Sequence, residues 1–305
     1  MSVSPCKQKS LNAHEDGSDA DEALDATQPS HIPTHMLKQG TPEWLQARIG
    51  NITASSAAVV ICMGYVPQGS RMEQLARQQA NRQQYFESVR DRKEIKVPPN
   101  AAMDWGSTRE DRAAAAYVAL RAKDDLAMNI DNFDTAGLFM SKELHRVAAS
   151  PDGLVPPWGE EDDGRGLVEI KCPFKKESWG YRLVKEDGTQ YVPPSYIIQM
   201  TLQMLVIERR WCDFVTWTPC VMSVFKLCYD EELGQIVKEH CAAFIAAAER
   251  NDAEPPPLPS REIWRISNVV RRVKGTMTLR AHTPFKLTED GVREWEAFAN
   301  KWNVL

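Results

Sequence analysis

Ser150-Pro151-Asp152-Gly153, followed after an acidic, glycine-containing loop by Val168-Glu169-Ile170-Lys171, decides the reading of this chain. Residues 144–149 have the composition of a strand running into the Asp-Gly turn. Residues 166–171 read as the returning strand, rich in β-branched and aliphatic side chains. The expectation is a hairpin of these two strands. Strand side chains alternate, so Glu169 and Lys171 face one side, and Asp152 at the end of the partner strand converges on them. Between them Ile170 offers its carbonyl oxygen.

These residue types suit one chemistry. A Mg²⁺ ion takes hard oxygen ligands, including one or two carboxylates, and keeps waters, one of which can become an attacking hydroxide. Asp152, Glu169 and the Ile170 carbonyl meet that need, with Mn²⁺ as an alternative ion. Lys171 would orient the water or stabilise charge on a scissile phosphate. Taken singly, an Asp-Gly turn and a strand Glu-x-Lys pair are ordinary structural features. Together, at hairpin spacing, they point to metal-assisted hydrolysis.

In these residues the chain resembles the PD-(D/E)xK nuclease superfamily, and within it the lambda exonuclease and YqaJ-type viral recombinase family. Four stretches carry the resemblance: 44–55 (WLQARIGNITAS), 105–110 (WGSTRE), 149–154 (ASPDGL) and 167–174 (LVEIKCPF). A fifth, 196–204 (YIIQMTLQM), is weaker. The resemblance implies an α/β restriction-endonuclease-like core with a mixed central sheet flanked by helices. It implies a helix-borne Glu110 beside the metal and Gln199 near the site; Gln203 shares the helix face of Gln199. Ser107-Thr-Arg-Glu110 also spells a helix-capping box, which by itself would explain the glutamate. Arg48, Ser55 at the start of a helix and Ser150 match positions that line a 5′-phosphate pocket in lambda-type enzymes. Free helix amides, hydroxyls and a guanidinium suit that anion. The implied activity is Mg²⁺-dependent exonucleolytic resection of duplex DNA ends, 5′ to 3′, for recombination or repair. A ring-shaped trimer and a single-strand annealing partner are implied by resemblance only. A structure-specific or junction-cleaving endonuclease shares the catalytic residues without needing the phosphate pocket. A catalytically inactive DNA-binding scaffold is the third reading, opposed by the intact Asp152, Glu169 and Lys171. One departure stands out. Lambda-type enzymes carry an aspartate ten residues before the turn aspartate, where this chain has Lys142 followed by Glu143. Either Glu143 substitutes or one metal ligand is lost.

Composition sets wider limits. With 305 residues, 43% of them hydrophobic, the chain can bury one sizeable core. No apolar run of about 18 residues and no signal peptide is present, so the expectation is an intracellular, non-membrane protein, cytoplasm and nucleus not being distinguished. Seven cysteines, odd in number and without a CxxC pair, argue for free thiols. Cys212, Cys220 and Cys228 lack the tight spacing that wraps an iron-sulfur cluster. The six histidines show no HxH or HExxH pattern, which disfavours zinc.

The formal net charge of −5 does not exclude DNA. Residues 15–25 hold six acidic side chains and no basic one, the pattern of a disordered acidic tail. The loop 160–163 (EEDD) adds more negative charge. DNA contact needs only a local basic surface.

The expected organisation is a disordered tail over 1–35, a nuclease domain over 36–253, a Pro-rich linker over 254–260 and a basic extension over 261–305. Within the domain, helices are expected at 42–49, from an N-capping Thr53 to about Met63, across the polar 70–96 as a projecting solvated helix, and at 107–123, 196–208 and 231–250. Strands at 211–218 and 222–229 flank a Thr-Pro-Cys turn. Beyond the prolines, residues 261–280 carry six basic groups against Glu262, with Trp264 interleaved. That segment either touches nucleic acid or packs back on the core or on another subunit.

Overall fold

The structure is a computed structural model that describes residues 37–95, 98–124, 136–174, 192–286 and 288–302. The acidic stretch 15–25 lies outside these residues. Helix α1 (Pro42–Arg48) starts where its sequence says it should: the Thr41 hydroxyl accepts the Trp44 amide at 3.3 Å, with proline in the first turn. Strand β1 (Ile52–Thr53) leads into a single 3-10 turn (Ala54–Ser56) and the short α2 (Ala57–Val60). The longer helix expected from Thr53 does not form. The Thr53 side chain caps nothing and instead meets the Ser55 and Ser56 hydroxyls at 3.2 Å each.

Helix α3 (Arg71–Arg90) opens with a capping box between Ser70 and Glu73. Its first half projects into solvent as expected, but its second half is docked. Arg82, Phe86 and Val89 are buried, and Phe86 meets Phe244 of α6 (Glu231–Glu249) edge-on at 5.1 Å. Helix α4 (Ala101–Asp124) begins six residues earlier than the sequence suggested, with the Asn100 side chain accepting the Met103 amide at 3.0 Å. Ser107 is therefore inside the helix, where its hydroxyl donates to the Asp104 carbonyl at 3.3 Å. The capping-box explanation of Glu110 fails.

Two sheets follow. The smaller joins β1, β3 (Val147–Ala149) and β2 (Phe139–Met140) in that order. The larger runs β4 (Gly153–Val155), β5 (Gly166–Lys171), β6 (Trp211–Trp217), β7 (Val221–Cys228) and β8 (Thr278–Pro284). Only β5 and β6 pair in parallel within it. The hairpin partner of β5 is thus β4, which starts after Asp152, and not residues 144–149, which end in the other sheet. Pro151 between the two offers no ladder amide, so pairing changes sheet there. At the start of β5, Gly166 is required by close approach: a Cβ there would stand 2.4 Å from the Trp211 ring.

One face of the large sheet packs on α5 (Pro194–Ile207), α6 and α7 (Ser260–Lys274), together with α2 and α3. The other packs on α4 and α8 (Glu289–Trp302). This is the mixed sheet flanked by helices expected of a restriction-endonuclease-like core. The prolines at 254–260 do not separate a second body. Ile266, Val269, Val270 and Val273 of α7 join the core of α5 and α6, and β8 extends the sheet beside β7. Burial of those side chains in a shared core outweighs the break in helix that the prolines impose.

Two of the basic residues beyond the prolines, Arg272 and Arg280, pair with acids of the preceding domain, and Arg265 pairs within its own helix. Arg272 pairs with Asp230 and Glu232, and Arg265 with Glu262. Arg280 is buried between Asp162 at 2.7 Å and Asp213 at 3.0 Å. Lys226 also pairs with Asp162, and Tyr117 and Trp158 donate to Asp213 at 2.6 and 2.7 Å. Asp162 of the acidic loop is therefore a buried ion-pair partner, not solvated charge. No helix among the described residues is long and apolar enough to cross a membrane.

Candidate active site

Period-two alternation on β5 puts Glu169 and Lys171 on the sheet face that meets α5. The Asp152 amide donates to the Val168 carbonyl at 3.1 Å, and its carboxylate accepts the Ile170 amide at 2.6 Å. Asp152 is thereby fastened to the strand that carries the other two side chains. Glu169 is 1% exposed. Its carboxylate is held from α5, where Gln199 donates at 2.5 Å to one oxygen and Gln203 at 2.6 Å to the other, while Lys171 donates to the first. The second glutamine, the weaker of the two expectations, is as closely engaged as the first.

Nine of the residues singled out from the sequence line one cavity of about 400 Å³: Arg48, Ser55, Glu110, Ser150, Asp152, Glu169, Ile170, Lys171 and Gln199. Its electrostatics are those of crowded carboxylates. Burial, reinforced by the Glu169 charge, holds the Asp152 carboxyl well above the usual range. Burial also raises Glu110, although its hydrogen bond with Asp152 works the other way. Burial disfavours the Lys171 ammonium, yet the charges of Glu169 and Asp152 outweigh it and keep the lysine firmly protonated. Its ammonium also lies 5.3 Å from the centre of the Tyr196 ring. The neighbouring Cys172 thiol is pushed up to about 12 by burial and by Glu110, so it is no nucleophile at neutral pH.

The same cavity is also lined by a guanidinium and hydroxyls. The Arg48 guanidinium donates to the Ser55 hydroxyl at 3.2 Å and lies 4.0 Å over the Trp44 ring, a contact worth about 0.5–1 kcal/mol. The Trp44 indole donates to the Ser150 hydroxyl at 3.1 Å, which donates in turn to the Gly137 carbonyl at 3.0 Å. One indole thus ties Arg48 to Ser150. Because Ser55 sits in a 3-10 turn, this lining offers a guanidinium and hydroxyls, not the dipole of a long helix. Thr53 and Trp44 were visible in the quoted stretch, but nothing in the sequence marked them as partners of these side chains.

The donor set fits a hard divalent cation: Glu110, Asp152, Glu169 and the Ile170 carbonyl offer oxygen only, and the raised carboxyls lack a full counter-charge. As placed, no three His, Cys, Asp or Glu side chains among the described residues stand together as a metal shell. Glu143 does not replace the missing family aspartate. It pairs with Lys238 at 2.6 Å and, with Lys142, lines a different cavity. The six described cysteines form no disulfide with one another.

The chain matches the YqaJ-like viral recombinase domain over residues 43–210, more than half of its length. It belongs to that family. The YqaJ-like span contains every residue of the cavity singled out above. No curated protein matches the chain. Among solved structures, LHK-Exo in complex with dAMP is 26% identical, over 77% of this chain and 99% of that one, with a TM-score of 0.49. The alkaline exonuclease LHK-Exo from Laribacter hongkongensis is 26% identical over 76% and 100%, TM-score 0.48. A phage-related exonuclease from Haemophilus somnus 129PT is 12% identical over 66% and 94%, TM-score 0.44.

Proposed function

We propose that this YqaJ-family protein is a Mg²⁺-dependent deoxyribonuclease that digests duplex DNA from its 5′ ends, producing 3′ single-stranded tails for recombination or repair. The observation that carries the reading is the shared cavity, in which an arginine-hydroxyl anion pocket faces two carboxylates and a lysine. An endonuclease needs the second set and not the first.

A Mg²⁺ ion, or Mn²⁺ in its place, would be held by Asp152, Glu169, Glu110 and the Ile170 carbonyl, and would supply an acidified water and charge neutralisation at the phosphate. Lys171, kept protonated by its carboxylate neighbours, stabilises negative charge developing on the scissile phosphate. Gln199 and Gln203 fix the orientation of Glu169. Arg48, stiffened by Trp44, grips the terminal 5′-phosphate with Ser55 and Ser150, setting the distance from the end to the bond that breaks. Assembly as a ring-shaped trimer and work with a single-strand annealing protein belong to the same proposal and rest on family resemblance.

The test is a substrate panel: linear duplex with and without 5′-phosphate against closed circular DNA, with Mg²⁺ and with EDTA. The expected result is metal-dependent loss of linear duplex, fastest with the 5′-phosphate, and intact circles. Cutting of circles would favour the endonuclease reading, and no cutting of any substrate with Mg²⁺ or Mn²⁺ the inactive scaffold.

A further inference from the structure

Helix α8 lies outside the family span, at residues 289–302, yet it contacts α4 and the chain that leaves β5. On α4, Arg109 immediately precedes Glu110. Its buried guanidinium lies 4.0 Å from the Trp105 ring centre and 5.8 Å from that of Phe298, and donates at 2.6 Å to Glu294 of α8. The other Glu294 oxygen accepts Arg112 at 2.8 Å. One turn earlier, Asp104 accepts Lys301 and Trp302, each at 2.8 Å. The end of α4 that delivers Glu110 to the cavity thus takes its charged anchors from α8. The same helix reaches the chain leaving β5: the Trp295 indole donates at 3.2 Å to the carbonyl of Phe174, three residues after Lys171.

From this geometry we infer that α8 is a clasp that sets the distance between Glu110 on α4 and the Glu169–Lys171 strand, with Glu294 and Trp295 as positioning residues for the divalent-cation site. The physical ground is the low tolerance of metal ligation to displacement: partners that orient ligands without touching the ion typically change affinity by about 10- to 100-fold. Arg109 also cannot simply relax when Glu294 is neutralised, because a buried guanidinium without its counter-charge moves toward water. That movement turns α4 next to Glu110. The inference rests on the metal-site reading above and adds to it residues that the family span does not contain.

The experiment measures Mn²⁺ binding directly, by electron paramagnetic resonance of the free ion, on the full chain and without DNA. Glu294→Gln keeps the side-chain size while removing the charge at Arg109, and Trp295→Phe keeps an aromatic ring while removing the donor to Phe174. Arg293→Ala is the control, since among the described residues Arg293 pairs only with Glu289 and Asp290 of its own helix. Both α8 variants are expected to bind Mn²⁺ about ten-fold more weakly, with the control at wild-type affinity. If Glu294→Gln does not fold, Trp295→Phe alone decides. Wild-type affinity in every folded variant, or no Mn²⁺ binding by the wild type, overturns the clasp. Mn²⁺ binding by a wild type that cuts no DNA would instead remove the nuclease reading and leave the clasp to be judged by the variants.

Discussion

The side-chain amide of Gln203 donates to Glu169 at 2.6 Å, and the two side chains are 0% and 1% exposed. A buried carboxylate costs several kcal/mol unless it is paired and hydrogen-bonded. Gln203 is thus part of what keeps Glu169 inside the protein and aimed at the cavity. Among the described residues its own carbonyl oxygen has no hydrogen-bond partner, so the polar contact the buried side chain makes is that of its nitrogen.

Gln203→Leu should therefore lower cleavage about 10- to 100-fold, since a hydrogen bond to a charged group is worth roughly 1.5–3 kcal/mol. Steady-state digestion of labelled duplex checks this, alongside a thermal melt to show that the variant is folded. A rate equal to wild type would mean that Gln199 alone positions Glu169.

Glu169→Ala and Lys171→Ala should remove nearly all cleavage while DNA binding persists, because losing about 3 kcal/mol of transition-state stabilisation already costs roughly 100-fold. EDTA should do the same to the wild type. Gel-shift and nuclease assays on the same preparations separate binding from chemistry, and near-normal cutting by either variant would place the site elsewhere.

Arg48→Ala tests the end pocket. On 5′-phosphorylated duplex it should slow digestion about 10- to 100-fold, the worth of a charged hydrogen bond. On ends already lacking the phosphate it should cost far less, because the anion is missing in both cases. Four rates, from two enzymes on two kinds of end, decide the matter; label released first from the 3′ terminus would count against the pocket.

Asp162 links stability to pH. Burial alone would raise its carboxyl, but Arg280, Lys226 and the Trp158 amide outweigh burial and hold it below its ordinary value of 3.8. A depressed carboxyl contributes stability that is full above 3.8 and is lost as pH falls through the depressed value. Asp162→Asn should cost about 3–5 kcal/mol at neutral pH, because it leaves buried cations short of a counter-charge. The gap between variant and wild type should narrow only in acid. Urea unfolding of both proteins from about pH 7 to about pH 3 measures it, and a gap that widened on acidification would reverse the sign.

Much of the carboxylate-lysine wall of the cavity could be read from the sequence because its determinants are local. Glu169 and Lys171 share a face through strand periodicity alone, Asp152 follows from its turn, and Gln199 and Gln203 share a face through helical spacing. Local signals misled where neighbours compete. Ser107-Thr-Arg-Glu110 spells a cap, but Asn100 had already started the helix. Thr53 has the chemistry of a cap, yet its hydroxyl is taken by Ser55 and Ser56.

By itself, then, the sequence determined the alternation that groups Glu169 with Lys171 and the motif order that marks the family. Tertiary structure alone decided which strand pairs with β5, that Asp162 is buried, and that α7, β8 and α8 belong to the core. The reason is the distance along the chain between partners. Trp44 meets Ser150 across 106 residues, Asp162 meets Arg280 across 118, and Arg109 meets Glu294 across 185. Periodicity reports the face on which a side chain lies; only the packed chain sets which charge, hydroxyl or ring stands opposite it, and hence whether burial is offset.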